Sequence, residues 1–266
     1  MKTGVLGQIL NCGQCFRWHY LPDGSWEGVV RGRFLRLTGK NLLSILTDSF
    51  WTTYFDFSTD YASIRASLTP LDPILAEAAA YAPEIRILRQ EPWEALCSFI
   101  LSQCNNIKRI RGMVERLCTA YGEPVKGTAM HAFPAPDALA RAGENDLRAL
   151  GCGFRAPYVL DAAHKVASGS LDLGAVACLP LPEAQERLVK IEGVGPKVAS
   201  CTLLYGMHRL DAFPMDVWMK RVMGTLFPGR SPEWFGPYAG VAQQYLFHYS
   251  RHHPELFREK VQNGRK

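Results

Sequence analysis

The first seventy or so residues alternate apolar and polar side chains, whereas the rest of the chain carries apolar stripes at helical spacing. Phe16-Arg17-Trp18-His19-Tyr20 alternates, Pro22-Asp23-Gly24 marks a turn, and Trp26 to Val30 resumes the alternation, which is the pattern of a hairpin. Arg33-Phe34-Leu35-Arg36-Leu37 alternates again, Gly39-Lys40-Asn41 breaks it, and Leu42 to Leu46 reads as one more strand. These segments predict an antiparallel sheet with one polar face.

After Pro70 the period changes. Trp93, Leu96, Cys97 and Ile100 follow Pro92 at helical spacing, and proline is a good first-turn residue. The polar stretch Ser102-Gln103-Cys104-Asn105-Asn106 interrupts, and Ile107, Ile110, Val114, Leu117, Cys118 and Tyr121 form a second stripe. Gly122 reads as its C-cap. Gly127 to Pro136 is a loop, and helical signals resume at Asp137, near Asn145 and after Arg155. Pro182 opens a helix that leads into Ile191-Glu192-Gly193-Val194-Gly195-Pro196-Lys197, and a last helix covers Ala239 to about Ser250. No internal repeat or low-complexity tract is visible. The expected fold is α+β, with an N-terminal antiparallel β domain over residues 1–72 and a mostly α-helical region over 73–266 holding the hairpin 191–197.

Composition bounds the class. The 266 residues are 47% hydrophobic and 21% charged, enough for one large domain or two smaller ones. No run reaches the roughly 18 apolar residues of a membrane span. Met1 to Leu10 has one lysine and no long apolar core, so it does not read as a signal peptide. The eight cysteines are scattered, which fits reduced thiols in a cytoplasmic protein, on a bacterial nucleoid and not secreted. The net charge of +5 is mild. It is compatible with a polyanion but does not demand one. The distribution says more: Lys108, Arg109, Arg111 and Arg116 cluster, and residues 258–266 are rich in Arg and Lys.

The hairpin carries the chemistry. Gly193 and Gly195 allow a tight turn with positive φ, and successive N–H groups there, backed by the next helix, form an anion site suited to a DNA phosphate. A Gly-Val-Gly core alone reads as a plain helix–turn–helix connection. Pro196-Lys197-Val198-Ala199, with Asp216 returning inside Phe-Pro-Met-Asp-Val-Trp, favours a functional site. A cation at a helix N-terminus opposes the helix dipole, and a neutral amine can attack a sugar C1′ to form a Schiff base. Asp216 reads both as an N-cap for a helix starting at Val217 and as a rigid carboxylate able to stabilise positive charge on the sugar.

Leu188-Val189-Lys190-Ile191 through Ala199, then Phe213-Pro214-Met215-Asp216-Val217, resembles the helix–hairpin–helix DNA glycosylases with a Gly/Pro…Asp loop. Gly13 to Trp18, Asn105 to Cys118, Leu150 to Ala156 and Trp234 to Gln243 are similar to segments of the 8-oxoguanine DNA glycosylase family within that superfamily. The resemblance runs in order over most of the chain. It implies a TBP-like N-terminal sheet followed by the HhH-GPD core. It implies that Lys197 is the Schiff-base nucleophile and Asp216 its partner. Gly13 would offer its carbonyl to the N7 hydrogen of 8-oxoguanine, Gln243 would read the Watson–Crick edge, and Cys201 and Phe247 would sandwich the flipped base. Arg109 and Arg155 would bond the orphaned cytosine, and Asn105 and Phe154 would fill or wedge the gap. Gly193 and Gly195 would hold phosphate.

Each role has a physical counterpart. A base must leave the stack before its glycosidic bond is accessible, and arginine's fixed fork suits a base edge. There are departures. Cys104-Asn105-Asn106 stands where the family has three asparagines, and Trp218 stands where it commonly has histidine, offering an indole N–H and a stacking face instead. Both point to looser opposite-base stringency.

Cys12-Gly13-Gln14-Cys15 has metal-ligand spacing but no second pair, so no metal is expected there. The iron–sulfur cluster of related endonucleases needs cysteines near the C-terminus, and the last cysteine is Cys201. His248, His252 and His253 are expected to face solvent or phosphate. The expectation is a monomeric, bifunctional glycosylase and abasic-site lyase acting on duplex DNA containing oxidised guanine opposite cytosine. It needs no cofactor, although hairpin carbonyls could hold a structural cation. The alternatives are the same fold acting on another oxidised or alkylated base, and a non-catalytic DNA-binding module.

Overall fold

The structure, a computed structural model, describes residues 4–38 and 42–257. The Gly39-Lys40-Asn41 break and the basic tail 258–266 lie outside the described residues. Strands β1 (Trp18–Tyr20), β2 (Trp26–Val30) and β3 (Arg33–Leu37) form an antiparallel sheet in that order. Trp18 pairs with Gly28, and Trp26 pairs with Leu37. Asp23 builds the first turn, accepting from Ser25 N at 3.0 Å and Arg36 Nη2 at 2.6 Å. Leu42–Thr47 is a 3-10 helix and not the expected strand.

The N-terminal region is less β-rich than its alternation suggests. Helices Val5–Leu10, Ser49–Tyr54 and Tyr61–Leu68 lie within it. Asp48 caps the second by accepting from Phe50 N, and Asp60 caps the third by accepting from Ala62 N and Ser63 N. Trp18, Trp26, Val30 and Leu37 pack on Trp51, Tyr54 and Phe55 in a small core that Leu88 completes. Tyr61, Ile64 and Leu68 pack into the large helical core instead. Between Phe55 and Tyr61 the chain passes from the small core to the large one, while Phe16 packs in the large core and Leu88 in the small one. Asp56 sits at the junction.

The helical region follows its apolar stripes. Pro92–Leu101 and Ile107–Tyr121 are helices, the second capped by Asn106, whose side chain accepts from Arg109 N. Its C-cap Gly122 has φ −90°, outside the left-handed region. Helices Pro136–Ala140, Glu144–Ala149, Ala156–Ala167 and Leu181–Leu188 lead to the hairpin, and Ala239–His252 closes the core. The hairpin's second helix, Pro196–Cys201, runs into a π-helical turn, Thr202–Gly206, and packs on Pro92–Leu101.

Candidate active site

The hairpin is fastened from below. Ile191 and Val194 are buried, and Val194 N donates to Ile191 O at 3.1 Å. Glu192 N donates to Asp161 Oδ2 at 2.7 Å, and Lys165 Nζ reaches the same carboxylate oxygen at 2.5 Å. Gly193 has φ +69°, and a Cβ there would lie 2.2 Å from the Tyr158 ring. Both the conformation and the contact require glycine. Gly195 does not take the expected positive φ. It is the extended N-cap of Pro196–Cys201, at φ −95° and ψ −179°. Among the described residues no acceptor takes the N–H of Gly193 or Gly195. These N–H groups, with the first-turn N–H groups of Lys197 and Val198, are the donors the hairpin has for an anion.

Lys197 is half-buried. Its Nζ donates to Ser102 Oγ at 3.0 Å and lies 5.2 Å from the centre of the Phe99 ring. Ser102 comes from the polar stretch that interrupts the two apolar stripes, and sequence reasoning gave it no role. Asp216 is the N-cap of helix Val217–Leu226, with Oδ1 accepting from Met219 N at 2.7 Å. Lys197 and Asp216 both act on the Cys201 thiol. Burial pushes that thiol up, Lys197 lowers it and Asp216 raises it. Cys201 is 2% exposed and presents an uncharged thiol.

A continuous contact path leads from Lys197 to Gly13. Phe99 stacks on Tyr205 with ring centres 5.2 Å apart. The Tyr205 hydroxyl donates to Gln244 Oε1 at 2.7 Å and lies 3.3 Å from Gln243 Oε1. Gln244 Nε2 donates to Cys12 O at 3.0 Å, beside Gly13. The buried Gln14 locks the same loop to Ile9 O and Arg86 O, and accepts from Leu88 N. Gln243 is 3% exposed, and among the described residues no protein acceptor takes its amide hydrogens. Gly13 has φ +92°, and a Cβ there would lie 3.3 Å from Phe247 Cε1. The Phe247 ring thus rests on Gly13. Tyr205 and Gln244 were invisible to sequence reasoning because their roles come from packing between distant helices.

The gap-filling set is only partly presented. Arg109 is exposed, and Phe154 is 48% exposed, with the Arg155 guanidinium 4.3 Å from its ring centre and Tyr158 at its edge. Arg155 departs from expectation. It is buried, and its guanidinium donates to the carbonyls of Gln103, Cys104 and Cys152. Burial, with Arg109 nearby, lowers its pKa. In this structure it shapes the loop and does not present its fork outward. Asn105 folds back, donating to Leu101 O at 3.2 Å, while Cys104 takes φ +49° at the exposed tip. Trp218 also departs: its indole N–H is already donated to Ser250 Oγ at 2.8 Å, with Phe257 against its ring.

Among the described residues no three His, Cys, Asp or Glu side chains gather to bind an ion. Cys12 and Cys15 are buried free thiols, Cys12 pushed up to about 11 by burial and Cys15 higher still. His248, expected at the surface, is buried against Tyr81 and His252.

This architecture, a small sheet unit and a helical core opening a lysine-bearing hairpin toward a carboxylate, defines the class of helix–hairpin–helix base-excision proteins. Residues 97–232 match the family model of the HhH-GPD superfamily base excision DNA repair proteins, and residues 2–96 match that of the 8-oxoguanine DNA glycosylase N-terminal domain. The chain belongs to the 8-oxoguanine DNA glycosylase family of the HhH-GPD superfamily. It is 40% identical over 152 residues to the N-glycosylase/DNA lyase of Saccharomyces cerevisiae, covering 52% of this chain and 40% of that protein. It superposes on MBOgg1, solved in complex with a low-affinity DNA ligand, with a TM-score of 0.84 and 40% identity, covering 93% and 92% of the two chains. The Clostridium acetobutylicum 8-oxoguanine glycosylase/lyase, solved with duplex DNA carrying cytosine opposite 8-oxoguanine, gives 0.83 and 34%, covering 94% and 92%. Matched segments span 62% and 40% of the lengths of the first two curated relatives.

Proposed function

We propose that the chain is a bifunctional DNA glycosylase and abasic-site lyase that excises 8-oxoguanine opposite cytosine from duplex DNA. The observation that carries this reading is the unbroken contact path from Lys197 through Phe99, Tyr205 and the two glutamines to the Gly13 loop. In this reading the nucleophile and the reader of the N7 hydrogen stand at the two ends of that path. The N–H groups of the hairpin hold a strand phosphate and set the register, without reading sequence.

The flipped base seats against Cys201 and Phe247 once Phe247 leaves Gly13. The Gln243 amide donates to its edge, and the Gly13 carbonyl accepts from N7–H. Guanine lacks that hydrogen and leaves the acceptor unpaired, which discriminates strongly. Ser102 accepts from Lys197 Nζ and orients it. The amine in its neutral form attacks C1′, and the C1′–N9 bond breaks with its electron pair leaving on the base. The base takes up the proton that the lysine nitrogen sheds. Asp216 stabilises the positive charge that develops on the sugar. Ring opening gives the imine. Loss of a C2′ proton and departure of the 3′ phosphate then cut the strand.

Arg109 and Phe154 are the groups presented toward the opposite strand, and Arg155 acts first through the loop carbonyls it holds. Trp218, pinned to Ser250, walls the site. The enzyme works as a monomer in the cytoplasm. No described helix is long and apolar enough to cross a membrane, and all eight cysteines are free thiols.

A cleavage panel tests the reading. Duplexes carrying 8-oxoguanine opposite each of the four bases, and others carrying alkylated purines, are cut by the full chain in single turnover. Fastest cutting of 8-oxoguanine opposite cytosine is expected. Faster release of an alkylated purine would assign a different lesion, and equal binding of damaged and intact duplex without cleavage would reduce the chain to a binding module.

A further inference from the structure

A cavity of about 670 Å³ shares Phe247 with the proposed base pocket and has Cys12, next to Gly13, in its wall, but its other walls have no part in the proposed excision. Lys108 and Arg111 enter it from helix Ile107–Tyr121, Arg251, His248 and His252 from helix Ala239–His252, and His19 from β1. Against these six groups stands one carboxylate, Glu115, which lies 3.6 Å from His19 Nε2. Ile107 and Phe247 supply an apolar wall.

The cationic lining is largely uncommitted. Among the described residues neither Lys108 nor Arg251 has a hydrogen bond or ion pair with the protein; the Arg251 guanidinium only stacks 5.3 Å from the centre of the Phe247 ring. Arg111 Nη2 donates to Asn11 Oδ1 at 3.2 Å and to Leu10 O at 3.4 Å, but its buried Nε has no partner. A buried donor without an acceptor is costly and rare. His248 faces Arg251 and His252 on its own helix, Tyr81 on helix Pro73–Tyr81, and His19, Lys108, Arg111 and Glu115 around the cavity. Burial first, then the charges of His252 and Arg251, hold it down at about 4. The cavity thus concentrates positive charge and supplies almost no counter-charge of its own.

We propose that this cavity is a second anion site, separate from the hairpin cradle, that takes the phosphate of a nucleotide. Lys108, Arg111 and Arg251 bind the phosphate from three directions, and Ile107 and Phe247 receive an apolar face of the attached base or sugar. Guanidinium forks and an ammonium match phosphate oxygens with charge-assisted bonds. The volume falls within the roughly 300–1,000 Å³ of small-ligand sites, more than a bare phosphate fills. The same chemistry comes from two sources, a free mononucleotide or a phosphate of the bound strand. Because Arg251 stacks on Phe247, occupancy also bears on the ring that must leave Gly13. The proposal does not depend on which lesion the enzyme removes.

The test uses the full chain with 13C-labelled histidine rings, titrated with inorganic phosphate and with 2′-deoxyguanosine monophosphate at constant ionic strength. Saturable shifts at His248 and His252 are expected, tighter for the mononucleotide, with the His248 pKa moving up from about 4. The double variant Lys108→Gln/Arg251→Gln, both exposed positions, should bind each anion roughly tenfold or more weakly, as two lost charge-assisted bonds require. Absence of saturable shifts with either anion, or unchanged affinity in the double variant, overturns the proposal. Undamaged duplex then separates the sources. If the strand is the ligand, duplex displaces the mononucleotide, and the salt dependence of duplex binding falls by about one to two phosphates in the variant. If a free nucleotide is the ligand, duplex leaves it bound and the salt slope is unchanged.

Discussion

Gly193 is held by two independent constraints, a left-handed φ of +69° and a Tyr158 ring where a side chain would go. Gly193→Ala must therefore move Tyr158 or the hairpin. A stability loss of roughly 1–3 kcal/mol is expected in denaturant titration, with a larger loss of duplex affinity because the cradle N–H groups shift. Gly195, with open space at its missing Cβ, should tolerate alanine with only a small stability change. Sequence already marked Lys197, Asp216 and the hairpin, because that chemistry is written within a few adjacent residues. It could not mark Ser102, Tyr205 or Gln244, whose partners lie 95, 38 and 232 residues away along the chain. Arg155 shows the same limit from the other side. Its residue type suggests a base reader, but the neighbouring loop carbonyls of Gln103 and Cys104 claim its fork.

At the scale of elements, Asp216 does two jobs that can be separated. It caps Val217–Leu226 through Met219 N, and in the proposed mechanism its charge faces the sugar. Asparagine caps a helix about as well as aspartate, whereas alanine costs about 1 kcal/mol. Asp216→Asn should therefore keep the melting temperature close to wild type while slowing excision by about 10²-fold or more. Asp216→Ala should lose both, and equal melting losses in the two variants would contradict the capping role. The legibility of elements follows the same physics as that of the site. β1 and β2 were readable because alternation and an Asp-Gly turn agree. Ser49–Tyr54 was not, since Phe50-Trp51-Thr52-Thr53-Tyr54 is aromatic and β-branched and favours a strand by composition. Its helix is imposed by the Asp48 cap and by Trp51 and Tyr54 docking into the small core. Leu42–Thr47 failed for a related reason, a short apolar run that fits a strand or a helical turn equally.

At the scale of the molecule, Asp56 couples the N-terminal unit to the segment that leaves the catalytic helix. Its carboxylate is fully buried, accepting from Arg89 Nε at 2.7 Å, Tyr61 OH at 2.9 Å and His208 Nε2 at 2.9 Å. Burial alone would push it up, but His208 and Arg89 hold it well below the ordinary carboxylate range. A depressed carboxyl pKa contributes stability that is complete above about pH 4 and is lost as pH falls below it. Asp56→Ala should cost roughly 3–5 kcal/mol at neutral pH, since it strands buried partners. Its melting temperature should also fall less steeply between pH 5 and about pH 3 than that of wild type. In the proposed mechanism both cores, the hairpin and the Gly13 loop together bring Lys197 to C1′ of a flipped nucleotide. Borohydride trapping on a duplex carrying 8-oxoguanine opposite cytosine tests that most directly. A covalent protein–DNA adduct is expected whose linked residue, by peptide mapping, is Lys197, with no adduct from Lys197→Gln. Undiminished trapping by Lys197→Gln would contradict it.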